Sequence, residues 1–210
     1  GGLATRLGKL TGERPKSMLG ICGKPFLEYQ IEMLRKENVT DIILCLGHLG
    51  DQIKRYFGNG SKYGVSIQYS VEDKPLGTAG ALKKAEPLLD DSFFTLYGDS
   101  FIFLNFSQVM AYFKTQNKLA LMTVYRNHNQ YDKSNTAIDG NMVTRFVKKD
   151  KSEDMAYIEY GANILTKKAL ETIPDRQSYS LDDLFVNLVA KKELLSFEVT
   201  ERFYEIGSLN

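Results

Sequence analysis

Apolar Leu27, Ile31 and Leu34 fall at i, i+4 and i+7, the spacing of one helical face, and Pro25 stands where a helix start tolerates a missing N–H. Residues 25–38 therefore read as a helix, followed directly by a β-rich run over 41–46. A short helix is expected over 51–57, a strand over 65–71, and then a helix in which Ala81, Leu82, Ala85, Leu88 and Leu89 share one face. Residues 93–97 are almost continuously apolar, as in a parallel strand covered on both faces, and they end in Gly98-Asp99-Ser100. Strands alternating with helices of this length predict an α/β fold, a doubly wound, mostly parallel, Rossmann-like sheet.

After a helix over 107–116 and a strand over 119–125 the texture changes. Residues 137–143 read as a β-hairpin on the Asp139-Gly140 turn, and 157–165 as a further strand. A helix over 181–190 carries the stripe Leu181, Leu184, Phe185, Leu188 and Val189, and Ser180 with Asp183 forms its capping start. The last third is thus mixed and β-rich, and residues 1–210 are expected to form one domain in two parts, 1–125 and 126–210.

Composition narrows the classes of function. A hydrophobic content of 43% suits a single core, and a net charge of +1 gives no reason to expect nucleic acid or an anionic membrane as partner. No apolar stretch approaches the roughly 20 residues that span a bilayer. Cys22 and Cys45 show neither metal spacing nor a disulfide framework, which fits a reducing, cytoplasmic setting. His48 and His128 lack paired residues and read as surface side chains.

The candidate chemistry begins at Gly1-Gly2-Leu3-Ala4-Thr5-Arg6-Leu7, followed by Pro15-Lys16. Glycines let backbone N–H groups approach phosphate oxygens, and Arg6 and Lys16 offer a guanidinium fork and a point charge to the same anion. A surface turn beside scattered cations has the same appearance. Neither a Walker A loop nor a Gly-x-Gly-x-x-Gly fingerprint is present. Such a loop normally hangs from a buried strand, so a short first strand is expected to be missing upstream of Gly1, and Asn210 reads as an equally abrupt end. In open α/β sheets ligands bind beyond the carboxyl ends of the strands, which is where Asp99 falls. A Mg²⁺ ligand and a plain turn aspartate both suit that position.

The loop, the Pro15-Lys16 pair and the later Lys24-Pro25 resemble the signature of the nucleotidyltransferases that make nucleotide sugars, with Ala4 in place of a third glycine. Leu76-Gly77-Thr78-Ala79-Gly80-Ala81 resembles the loop of the mannose- and heptose-phosphate guanylyltransferase branch, which lies along the base and ribose. Arg202-Phe203-Tyr204-Glu205-Ile206-Gly207-Ser208 resembles the segment holding the second metal ligand, with Glu205 at an aspartate position. The resemblance runs from Gly1 to Ser208.

What the resemblance implies is a nucleotide-binding first part and a sugar-binding second part. Arg6, Lys16 and Asp99 become catalytic candidates, and Asp99 with Glu205 the Mg²⁺ ligands. The nucleotide set is Gly1, Gly2, Leu3, Ala4, Thr5, Arg6, Glu72, Leu76, Gly77, Thr78 and Gly80. Lys24, Asn135, Lys149, Glu159, Tyr160 and Gly161 become the sugar-phosphate set, although Lys148 stands where the family has glutamate. The implied partners are a nucleoside triphosphate and a sugar 1-phosphate, with a homo-oligomer left open. Three rivals remain: a non-sugar phosphate acceptor such as phosphocholine, a non-catalytic regulatory homologue, and a glycosyltransferase, which normally shows an Asp-x-Asp element absent from Gly98-Asp99-Ser100-Phe101.

Overall fold

The computed structural model describes residues 14–147, 155–175 and 177–206. Among the described residues a 3₁₀ turn, Lys16–Met18, leads into a short hairpin, β1 (Gly20–Ile21) and β2 (Lys24–Pro25), whose two-residue loop Cys22-Gly23 has positive φ at both positions, the requirement of a tight hairpin turn. There follow α1 (Phe26–Lys36), β3 (Asp41–Leu46), α2 (Gly50–Phe57), β4 (Ser66–Val71), α3 (Gly77–Ala85), β5 (Ser92–Leu96), β6 (Ser100–Phe101) and α4 (Phe106–Lys114). The second half contains β7 (Ala120–Arg126), β8 (Thr136–Asp139), β9 (Met142–Phe146), β10 (Tyr157–Thr166), α5 (Lys167–Leu170), α6 (Leu181–Ala190), β11 (Leu194–Val199) and β12 (Tyr204–Glu205).

Six strands form the main sheet in the order β5-β10-β7-β11-β9-β8, while β3 and β4 pair in parallel as a separate ribbon. Period-2 alternation sends the side chains of one strand to two cores. On β7, Leu121 joins a core with Ile31 of α1, Ile53 of α2 and Val109 of α4. Its neighbours Ala120, Met122 and Val124 join the other core, with Ala79 of α3, Leu170 of α5 and Leu184 of α6. Helices therefore cover both faces, as a doubly wound α/β fold requires.

The parallel character is narrower than the apolar runs imply. Among the described residues only β3–β4 and β7–β11 pair in parallel, and β5 is antiparallel to β10. The 93–97 run is apolar because Phe93 faces one core while Phe94 and Leu96 face the other. Burial on both faces, not strand direction, sets that pattern. Leu88, expected on the buried face of α3, lies in a 3₁₀ turn and is exposed. β11 was not anticipated at all.

Candidate active site

Pro15 has φ −57°, and the chain after it closes a 3₁₀ turn, Lys16–Met18, with Met18 N donating to Pro15 O at 2.8 Å. That turn aims Lys16 at the loop beyond β5, where its Nζ lies 2.5 Å from Asp99 Oδ2. β12 then pairs antiparallel with β6, which sets Glu205 opposite Ser100, and Ile206 N donates to Asp99 O at 3.0 Å. Three segments far apart in sequence thus meet at Asp99.

A fourth segment comes from β10. Its register on β7 steps from Glu159 opposite Val124 to Asn163 opposite Met122, a bulge centred on Gly161, whose φ is +99°. The bulge brings Gly161 O to Tyr97 N at 3.4 Å and leaves a Cβ at Gly161 only 3.5 Å from Ser100. Glu159 accepts from Asn163 Nδ2 at 2.7 Å and from the Tyr97 hydroxyl. Burial raises its carboxyl to about 7; the hydrogen bonds from Asn163 and Tyr97 oppose the rise, and the charges of Asp182 and Glu205 add to it. Burial, followed by the nearby charge of Glu159, pushes the Tyr97 phenol up.

Asn135 Oδ1 accepts from Glu159 N at 3.0 Å, so Asn135 braces Glu159 through the backbone. The Tyr160 side chain is fully buried in the core, and its hydroxyl donates to Phe103 O and accepts from Phe103 N, so it supports the segment after β6. Lys24 engages α1: its Nζ lies 2.6 Å from Glu32 Oε1 and 4.2 Å from the Tyr29 ring centroid.

The start of α3 shows another use of its small residues. Gly77 has φ +73°, and a Cβ there would lie 2.6 Å from Tyr179 O. Ala79 N and Gly80 N both donate to Tyr179 O, at 3.0 and 3.1 Å, and Leu181 N donates to Thr78 Oγ1 at 2.7 Å. Among the described residues these glycines accommodate the close approach of the 177–181 backbone. Leu76 is buried, and its N–H donates to Glu72 Oε2 at 3.1 Å, so Glu72 fixes the approach to the helix.

The expected phosphate loop, Gly1, Gly2, Leu3, Ala4, Thr5 and Arg6, lies outside the described residues, as does Lys149. Both histidines are exposed, and Cys45, pushed up to about 11 by burial, donates weakly to Ala81 O. No helix among the described residues is long and apolar enough to cross a membrane. Tyr97 and Gln30 join the site although the motifs do not name them. Gln30 did carry a signal: it sits at i+3 from Leu27 within the apolar stripe of α1, where a polar side chain needs a reason.

Comparison with known proteins places these features in a class. The whole chain, residues 1–210, matches the family described as nucleotidyl transferase, and the chain belongs to that family. Among its relatives, mannose-1-phosphate guanyltransferase 2 of Candida glabrata is 32% identical over 99% of this chain and 59% of its own length. The D-glycero-alpha-D-manno-heptose 1-phosphate guanylyltransferase of Campylobacter jejuni is 27% identical over 99% of this chain and 91% of its own. The crystal structure of HddC from Yersinia pseudotuberculosis superposes with a TM-score of 0.82 at 26% identity, covering 99% of this chain and 91% of that one. The chain spans 59% of the first of these relatives, so it corresponds to a part of that protein.

Proposed function

We propose that this chain carries the transferase centre of a sugar-1-phosphate nucleotidyltransferase, in which a phosphate oxygen of the sugar phosphate attacks the α-phosphorus of a nucleoside triphosphate. The products are a nucleotide sugar and pyrophosphate. The observation that carries the reading is the meeting of Lys16, Asp99 and Glu205 at the carboxyl end of β5, the ligand position of an α/β sheet. No general base is demanded, because a sugar phosphate with a second pKa of about 6 is already an anionic nucleophile at neutral pH.

Asp99 and Glu205 fit a Mg²⁺ ion by their chemistry, two hard carboxylates on adjacent strand ends. Mg²⁺ commonly takes one or two carboxylates and completes its shell with phosphate and water. Bound there, the ion would supply charge neutralisation to the phosphates. Lys16 contributes a mobile cation to the same charge, and the Gly1–Arg6 loop is assigned the triphosphate. Glu159 and Gly161, reached over the bulge, line the acceptor side, with Asn135 behind Glu159. Leu76 and Gly77 are assigned the nucleotide side, and Lys149 the acceptor phosphate.

GTP with mannose or heptose 1-phosphate is the preferred pair, a choice supported by the names of the relatives from Candida glabrata and Campylobacter jejuni. Pyrophosphate release measured over a matrix of triphosphates and phosphorylated acceptors, with Mg²⁺, tests it. Turnover confined to GTP and one of these sugars is the expected result. Turnover with phosphocholine instead of a sugar changes the acceptor, and none with any pair overturns the reading.

A further inference from the structure

Gln30 lies on α1 with Leu27, Ile31 and Leu34 around it and is 3% exposed. Its Nε2 donates to Tyr97 O at 2.8 Å and to Ser100 O at 2.7 Å, so both amide hydrogens go to one turn. The two carbonyls bracket Gly98 and Asp99. The backbone bond inside that turn, Ser100 N to Tyr97 O, is 3.5 Å, the limit of a hydrogen bond, so the turn is poorly held by itself.

Gln30 Oε1, in contrast, is buried without a hydrogen-bond partner among the described residues. An apolar side chain of the same shape would fill the stripe without orphaning an oxygen, so packing alone does not account for a glutamine. The two donors do. From the other side the turn is fastened by Ile206 N on Asp99 O at 3.0 Å and by the pairing of Ser100 with Glu205. Helix α1 and strand β12 thus grip the turn between them, and α1 begins immediately after the hairpin that follows Lys16.

We propose that Gln30 is a positioning residue for the transfer reaction: its carboxamide fixes residues 97–100 so that Asp99 is held in register with Lys16 and Glu205. The proposal rests on the active-site reading of Asp99 given above. A shift of about 1 Å in such a group can cost on the order of 10²-fold in rate.

The test uses the intact protein. Gln30→Met keeps length and apolar volume and deletes both donors. Its kcat is expected to fall about 10- to 100-fold with the Mg²⁺ concentration for half-maximal rate rising, while KM for the triphosphate moves less than about threefold. Introduced into Asp99→Asn, the same substitution is expected to add less than about a twofold further loss, because its route to the reaction is already gone. Gln30→Glu supplies one donor when protonated and none when ionised, so its activity relative to the unaltered protein is expected to rise as pH falls. Unchanged kcat and Mg²⁺ dependence in Gln30→Met, or equal losses in both backgrounds, would overturn the proposal while leaving Asp99 in the site. Asp99→Asn at full activity would remove the site reading and the positioning role together.

Discussion

Lys16 Nζ lies 2.5 Å from Asp99 Oδ2 across 83 residues of sequence, and both side chains remain partly exposed, at 21% and 33%. An ion pair that open to solvent contributes about 0–1 kcal/mol. It is therefore a weak reason for the fold and a cheap bond to break. Either partner can leave the other for a phosphate or a cation at little cost, which is what a site that must exchange ligands needs. The turn bearing Asp99 is better anchored, by Gln30 and by the β6–β12 pairing, than the ion pair itself.

Asp99→Asn is expected to leave the fold intact, because it removes at most that weak pair, and to reduce Mg²⁺-dependent turnover by on the order of 10²-fold or more. Steady-state kinetics beside a thermal melt separates the two effects. Near-normal turnover with Mg²⁺ removes Asp99 from the site.

For Lys16→Met the stem remains and the charge is lost. If the ammonium meets charge that develops during transfer, kcat falls and KM for the triphosphate stays close to its original value. A change confined to KM assigns Lys16 to binding the ground state. The melting temperature is expected to move little in either case, given the weak pair with Asp99.

The elements of this fold were largely legible because local rules decide them. α1, β3, α2, β4 and α6 stand within a residue or two of the apolar periodicities, and Ser180 Oγ accepts from Asp183 N as a capping start implies. Pairing was less legible. Strand direction is settled by which strands meet, so the apolar 93–97 run could not reveal its antiparallel partner β10. β11 offers little alternation because Leu194 and Leu195 feed opposite cores. At the site, the motifs named Asp99, Lys16 and Glu205, and the structure sets Lys16 Nζ on Asp99 and pairs Glu205 with Ser100. Tyr160 and Lys24 show the limit: the motif gives the position, while the direction of the side chain depends on the Gly161 bulge and on Glu32.

Glu159 makes stability depend on pH. Its carboxyl is raised from 4.5 to about 7, so between these values the folded chain holds a proton that the unfolded chain releases. The stabilisation from the neutral carboxyl is complete below the unfolded value and is lost as pH rises through the folded one, by on the order of 3 kcal/mol. Glu159→Gln is expected to flatten the decline in denaturation midpoint between about pH 4.5 and pH 7. An unchanged slope in the variant would place the titration elsewhere.

Gly77→Ala separates the packing role of the α3 start from its proposed nucleotide role. The position has φ +73°, which alanine adopts only with strain, and the added Cβ would meet Tyr179 O at 2.6 Å, a backbone atom that cannot swing aside. The Tyr179 carbonyl also accepts from Ala79 N and Gly80 N, and Tyr179 N donates to Leu76 O, so displacing it loosens the bonds between α3 and the segment leading into α6. A loss of about 1–3 kcal/mol in chemical denaturation is expected. Thr78→Val, which removes the acceptor for the part-buried Leu181 N–H, is expected to cost about 1–3 kcal/mol by leaving that N–H unpaired. If both variants keep full stability while KM for the triphosphate rises, the small residues serve the nucleotide and not the 177–181 backbone. The close contact with Tyr179 predicts the opposite order, with stability falling first.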